Sequence, residues 1–124
     1  MTNGAPSAPL FLGIDVGGTN IKAGLVSADR EVLSQSSVAT NATEGPDYGV
    51  AQIVKAAEQA LRQADISLEN VTAVGLATPG TMDIPAGMLL DPPNLPGWSN
   101  FPVRQKVQNA LQRPTVLQLS LIHI

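Results

Sequence analysis

Residues Asp15-Val16-Gly17-Gly18-Thr19-Asn20 set a carboxylate, two adjacent glycines and a hydroxyl between two apolar runs. Those are the parts of a phosphate-gripping hairpin. Two glycines let a chain turn tightly with its amides facing one point, where an anion approaches without meeting a Cβ. Asp15 can hold a metal-bound water beside such an anion, Thr19 can donate its hydroxyl, and Asn20 can add a backbone amide. The same letters also make an ordinary tight hairpin turn, for which Gly-Gly is a common choice. Lys22 could offset phosphate charge, but an exposed lysine on an alternating strand is the commoner outcome, and no role is assigned to it.

The elements that must position these groups are legible around them. Residues 10–16, 21–27 and 32–39 read as strands, the second and third joined by Ala28-Asp29-Arg30, so an antiparallel meander is expected. Across residues 47–64, Val50, Ile53, Val54, Ala57, Leu61 and Ala64 form a helical stripe opposite Lys55, Glu58, Gln59 and Arg62. Residues 71–77 suit a buried strand, bounded by Asn70 before it and Pro79-Gly80 after it. Residues 79–99 hold five prolines and three glycines, which predicts mostly loop, with Asp83 and Asp91 as solvated loop carboxylates. Asn100 is placed to cap a second helix with Pro102 in its first turn and Val103, Val107 and Leu111 along one face. Pro114 ends that helix, and Thr115 begins another strand. The class is α/β in the order βββαβαβ, without an internal repeat, after a lead-in at residues 1–9.

Composition bounds the function classes. A chain of 124 residues is one domain at most. Its net charge of −3, with no basic cluster, argues against nucleic acid as a partner. No apolar run reaches the length of a membrane span, and the first residues lack the pattern of an export signal, so a cytoplasmic protein is expected. Cysteine is absent, which excludes disulfides and thiolate metal ligands within these residues.

Two blocks carry a family resemblance. Leu12-Gly13-Ile14-Asp15-Val16-Gly17-Gly18-Thr19-Asn20-Ile21-Lys22-Ala23-Gly24-Leu25-Val26 is followed by Gly75-Leu76-Ala77-Thr78-Pro79-Gly80-Thr81-Met82-Asp83, Gly87 and Pro93-Asn94-Leu95-Pro96-Gly97-Trp98. In this order and spacing they resemble the ROK (repressor, open reading frame, kinase) family of sugar kinases, within the actin/hexokinase/Hsp70 ATPase superfamily, over residues 10–118. The resemblance implies the N-terminal part of a ribonuclease H-like, actin-like ATPase half-domain from a homo-oligomeric, glucokinase-type enzyme. ATP and Mg²⁺ are the implied cofactors and a hexose the implied substrate. Asp15 would organise Mg²⁺, and Gly17, Gly18, Thr19 and Asn20 would contact phosphate.

On the sugar side the resemblance points to Gly80, just beyond a strand's carboxyl end where α/β sheets place ligands, and to Asn94. Asn between prolines is also ordinary turn chemistry. Trp98 could stack on a sugar ring, although anchoring its loop is the commoner use. Other ROK specificities, such as N-acetylhexosamine kinases, and a sugar-responsive ROK regulator are the alternatives.

In ROK kinases a strand like residues 114–118 runs into Asn-Asp-Ala-Asn, whose Asp is the general base. Here Gln118 is followed by Leu-Ser-Leu-Ile-His-Ile. No residue of this chain is expected to act as that base, and His123 is not assigned the role. The later sugar and zinc motifs are not found either. Residues 119–124 are read as a non-native tail, and these 124 residues alone are expected to be inactive.

Overall fold

The computed structural model describes residues 9–78, 81–83, 86–91 and 101–119. β1 (Leu10–Val16), β2 (Asn20–Ser27) and β3 (Val32–Ala39) form the antiparallel meander; α1 (Pro46–Ala64) leads to β4 (Ala73–Thr78). A short hairpin follows, β5 (Thr81–Asp83) with β6 (Met88–Asp91), then α2 (Val103–Leu111) and β7 (Thr115–Leu119). The main sheet has the order β3-β2-β1-β4-β7, antiparallel at β1–β2 and β2–β3, parallel at β1–β4 and β4–β7.

The period-2 pattern of β1 decides which face is covered. Leu12, Ile14 and Val16 are fully buried, and their register partners Leu25, Ala23 and Ile21 on β2 and Val74 and Leu76 on β4 join them. Ile53, Ala56, Ala57, Ala60 and Leu61 of α1 and Val103, Val107 and Leu111 of α2 complete this one core. The alanines let α1 come close to β3, so the Ser34 and Ser36 hydroxyls donate to the Ala60 and Ala56 carbonyls, each at 2.6 Å. Two polar side chains thereby satisfy themselves against the helix.

On the opposite face the same strands present Phe11, Gly13 and Asp15, none of them buried. Gly24, Gly13 and Gly75 align in register across three neighbouring strands, making a row without side chains. Phe11 and Val116 on this face remain 36% and 50% exposed.

Local chemistry sets the boundaries. Pro46 opens α1, where its missing N–H is no loss, and Asp65 in the left-handed region closes it while the Ile66 amide reaches back to the Leu61 carbonyl. β4 begins two residues later than the sequence suggests because a 3₁₀ turn at Leu68–Asn70 takes up Val71, whose amide donates to Leu68. The stretch expected to be mostly loop contains the β5–β6 hairpin, so Asp83 and Asp91 stand on strands. Gly87, at φ +70°, makes that turn, and its carbonyl accepts from the Arg104 amide at the start of α2. Pro102 occupies the N-cap of α2 rather than its first turn, and its own side chain makes no capping bond. Asn100, the expected cap, lies outside the described residues. β7 extends to Leu119, paired with Thr78, one residue into the segment read as a tail.

The β2–β3 connection, residues 28–31, is closed by the Arg30 amide to the Ser27 carbonyl at 2.9 Å, with Arg30 at φ +67°. A non-glycine residue there carries about 1–2 kcal/mol of steric cost, part of which glycine's own flexibility gives back. Arg30→Gly is expected to raise the unfolding free energy by about 0.5–1 kcal/mol, read as a higher urea midpoint at unchanged slope; a lower midpoint would show that the arginine is held by contacts beyond the turn.

Candidate phosphate-binding hairpin

The turn between β1 and β2 is closed by the Gly17 amide donating to the Asn20 carbonyl at 2.9 Å, and Val16 and Ile21 pair just inside it. Neither Gly17, Gly18 nor Thr19 has a positive φ. That excludes the type I′ and II′ turns, which require it and which strand twist ordinarily selects. The turn is a tight hairpin of another type. The need for glycine at 17 is one of space: a Cβ there would lie 3.0 Å from the Asn20 carbonyl oxygen.

Thr40, immediately after β3 and fully buried, accounts for the unusual turn. Its amide donates to the Thr19 carbonyl at 2.9 Å and its Oγ1 donates to the Gly17 carbonyl at 2.7 Å. In a trans peptide unit the C=O and N–H point in opposite directions, and no cis bond occurs among the described residues. Tying down the Gly17 carbonyl turns the Gly18 N–H away from Thr40; tying down the Thr19 carbonyl does the same for Asn20. The Gly18 and Thr19 amides donate to no group among the described residues. Unpaired amides at a turn are what an anion-binding concavity requires, and Thr19 and Asn20 are exposed.

Asp15 sits two residues before the turn on the face no helix covers, partly exposed. Lys22 is directly across from it on β2, exposed, and Ala77 is its neighbour on β4. Among the described residues no group of three or more His, Asp or Glu side chains gathers to hold a metal. One carboxylate beside an anion site fits Mg²⁺ better than a cation needing a protein cage, because Mg²⁺ keeps water and takes phosphate oxygens as ligands. The residues present therefore fit a phosphate with its cation: amide donors at Gly18 and Thr19, a hydroxyl at Thr19, a single carboxylate at Asp15.

The structure brings Asp15, Gly17, Gly18, Thr19 and Asn20 together at one strand end. β4 ends beside them at Thr78, whose buried Oγ1 has no hydrogen-bond partner among the described residues. Gly80 and Asn94, the expected sugar contacts, lie outside the described residues, as do Trp98 and His123. Thr40 escaped the sequence reading, since nothing in a threonine after Val38-Ala39 announces a partner on another strand. Among the described residues no helix is long and apolar enough to cross a membrane.

Comparisons with known proteins bear on the family and the fold. The ROK family matches residues 11–120. The chain is similar to a glucokinase of Halalkalibacterium halodurans, 26% identical over 107 residues, covering 86% of this chain and 32% of that protein. It is also similar to an N-acetylmannosamine kinase of Escherichia coli, 28% identical over 110 residues, covering 85% and 34%. The chain thus spans about a third of the length of the curated relatives it matches. Among solved structures, a ROK hexokinase from Thermus thermophilus superposes with a TM-score of 0.80 at 35% identity, over 89% of this chain and 35% of that one. A ROK glucokinase from Streptomyces griseus, solved in complex with glucose and AMPPNP, gives 0.78 at 31%, over 89% and 33%.

One substitution at two glycines tests the spatial argument. Gly17→Ala pushes a methyl onto a backbone oxygen and is expected to cost about 1–3 kcal/mol. Gly75→Ala, with nothing within 4 Å of the added carbon, should be neutral or stabilising by up to about 1 kcal/mol. Chemical denaturation of both variants reads the difference; equal effects would mean that the hairpin is not closely packed at Gly17.

Proposed function

The chain belongs to the ROK family, and from that premise we propose that it forms the phosphate-binding part of an ATP-dependent sugar kinase of glucokinase type, which makes the sugar 6-phosphate. The observation that carries the reading is the hairpin whose Gly18 and Thr19 amides donate to no group among the described residues and lie close to the Asp15 carboxylate in the chain. Phosphoryl transfer asks a protein mainly for positioning and charge stabilisation, and these groups offer both to a polyphosphate. Gly18, Thr19 and Asn20 would hold the phosphates of ATP through amides and a hydroxyl. Asp15 would orient Mg²⁺ through its carboxylate. The bound cation would spread the negative charge that builds on the phosphate oxygens during transfer.

The sugar hydroxyl that attacks is assigned to the side of Gly80 and Asn94. The carboxylate that takes its proton is assigned to polypeptide beyond Gln118, with residues 119–124 as a non-native tail. A cytoplasmic, homo-oligomeric protein with no nucleic-acid partner completes the proposal. The N-acetylmannosamine kinase relative supports a second specificity within the same chemistry. ADP release with glucose and with N-acetylmannosamine as competing acceptors separates the two.

The test uses the protein extended to the length of its relatives. Asp15→Ala should lower kcat by about 10²-fold or more while leaving the glucose KM within about threefold, since Asp15 serves the metal and phosphates rather than the sugar. Asn94→Ala should instead raise the glucose KM more than it lowers kcat. Near-normal turnover in Asp15→Ala would sink the role given to the hairpin. The 124-residue chain alone is expected to show no glucose-dependent ATP turnover.

A further inference from the structure

We propose that Thr40 is a positioning residue for the phosphate hairpin: its hydroxyl selects the orientation of the Gly17–Gly18 peptide that presents an amide, rather than a carbonyl, to the anion. This rests on the phosphate-binding reading above. Two adjacent glycines leave that peptide unit free to flip, because neither flanking residue has a Cβ to oppose rotation. A flip would exchange the Gly18 N–H for the Gly17 carbonyl oxygen at the site. An attractive dipole would become a repulsive one.

The turn does not use the left-handed conformations that strand twist favours, so its shape must be held from outside. Thr40 is the group that holds it. It is fully buried and aims both of its donors at the turn, and its hydroxyl reaches the Gly17 carbonyl at 2.7 Å. Residues 34, 36, 38 and 40 share one side of the third strand. Ser34 and Ser36 spend their hydroxyls on α1 carbonyls, whereas Thr40, past the strand's end, turns the same chemistry onto the hairpin.

The experiment titrates the ¹⁵N-labelled 124-residue chain with Mg-ATP and, separately, with inorganic tripolyphosphate, following the Gly18 and Asn20 amide resonances. Thr40→Val keeps the shape and the backbone amide but removes the hydroxyl, and should weaken binding of both probes by about tenfold or more. Thr40→Ser, which restores the donor, should bind within about threefold of the parent chain. Ser36→Ala removes a comparable hydroxyl bond from the same strand, lowering stability but leaving the affinity unchanged. If Thr40→Val does not fold, Thr40→Ala lacks the same hydroxyl without its bulk and carries the same expectation. Parent-like binding by the Val or Ala variant, or equal weakening by Ser36→Ala, would overturn the role of Thr40 alone. A parent chain whose Gly18 and Asn20 signals move with neither probe would remove the phosphate-binding reading itself, and the inference with it.

Discussion

The alternation of side chains along β1 is the constraint on which everything else depends. One strand at the centre of the sheet must fill the core with Leu12, Ile14 and Val16 and, one residue out of phase, expose Gly13 and Asp15 on the other face. A slip of one residue would drive a carboxylate under α1 and lift three large aliphatic groups off the core. Register is therefore fixed by burial worth about 1.5–3 kcal/mol for each such side chain. The position of the candidate site is a by-product of core packing.

This coupling explains what could be read from the sequence. The meander and α1 were legible because each carries its own period, two along β1 and β2, 3.6 along Ile53, Ala57 and Leu61. The Asp-x-Gly-Gly-Thr hairpin was legible because its residue types are restricted. Its true geometry was not, since the reason for Gly17 is the nearness of the Asn20 carbonyl and not a left-handed φ. The β5–β6 hairpin was hidden because strands of three and four residues are too short to show a period and stand among prolines. Thr40 was hidden for a deeper reason: its partners lie far back along the chain and meet it only through the β2–β3 register, Asn20 opposite Ala39.

The proposed anion site at the hairpin would arise without a helix N-terminus. A helix end gathers its unpaired amides through the helical geometry itself. Here the amides are freed indirectly, by satisfying the carbonyls of the same peptide units from a third strand. Strand pairing and the turn cannot then be separated: β3 supplies Thr40, α1 holds β3 through Ser34 and Ser36, and the core holds α1.

The mixed sheet divides the chain by the length of loop that each pairing must close. β1, β2 and β3 meet through short connections, so ordering them requires little loss of chain entropy before contacts form. Pairing β1 with β4 encloses β2, β3 and α1, and the closure term grows with that length. Gly17, Thr19 and Thr40 all belong to the first group. The candidate anion-facing turn is thus encoded in the part of the topology with the lowest contact order, and among the described residues its hydrogen bonds involve none from β4 or β7.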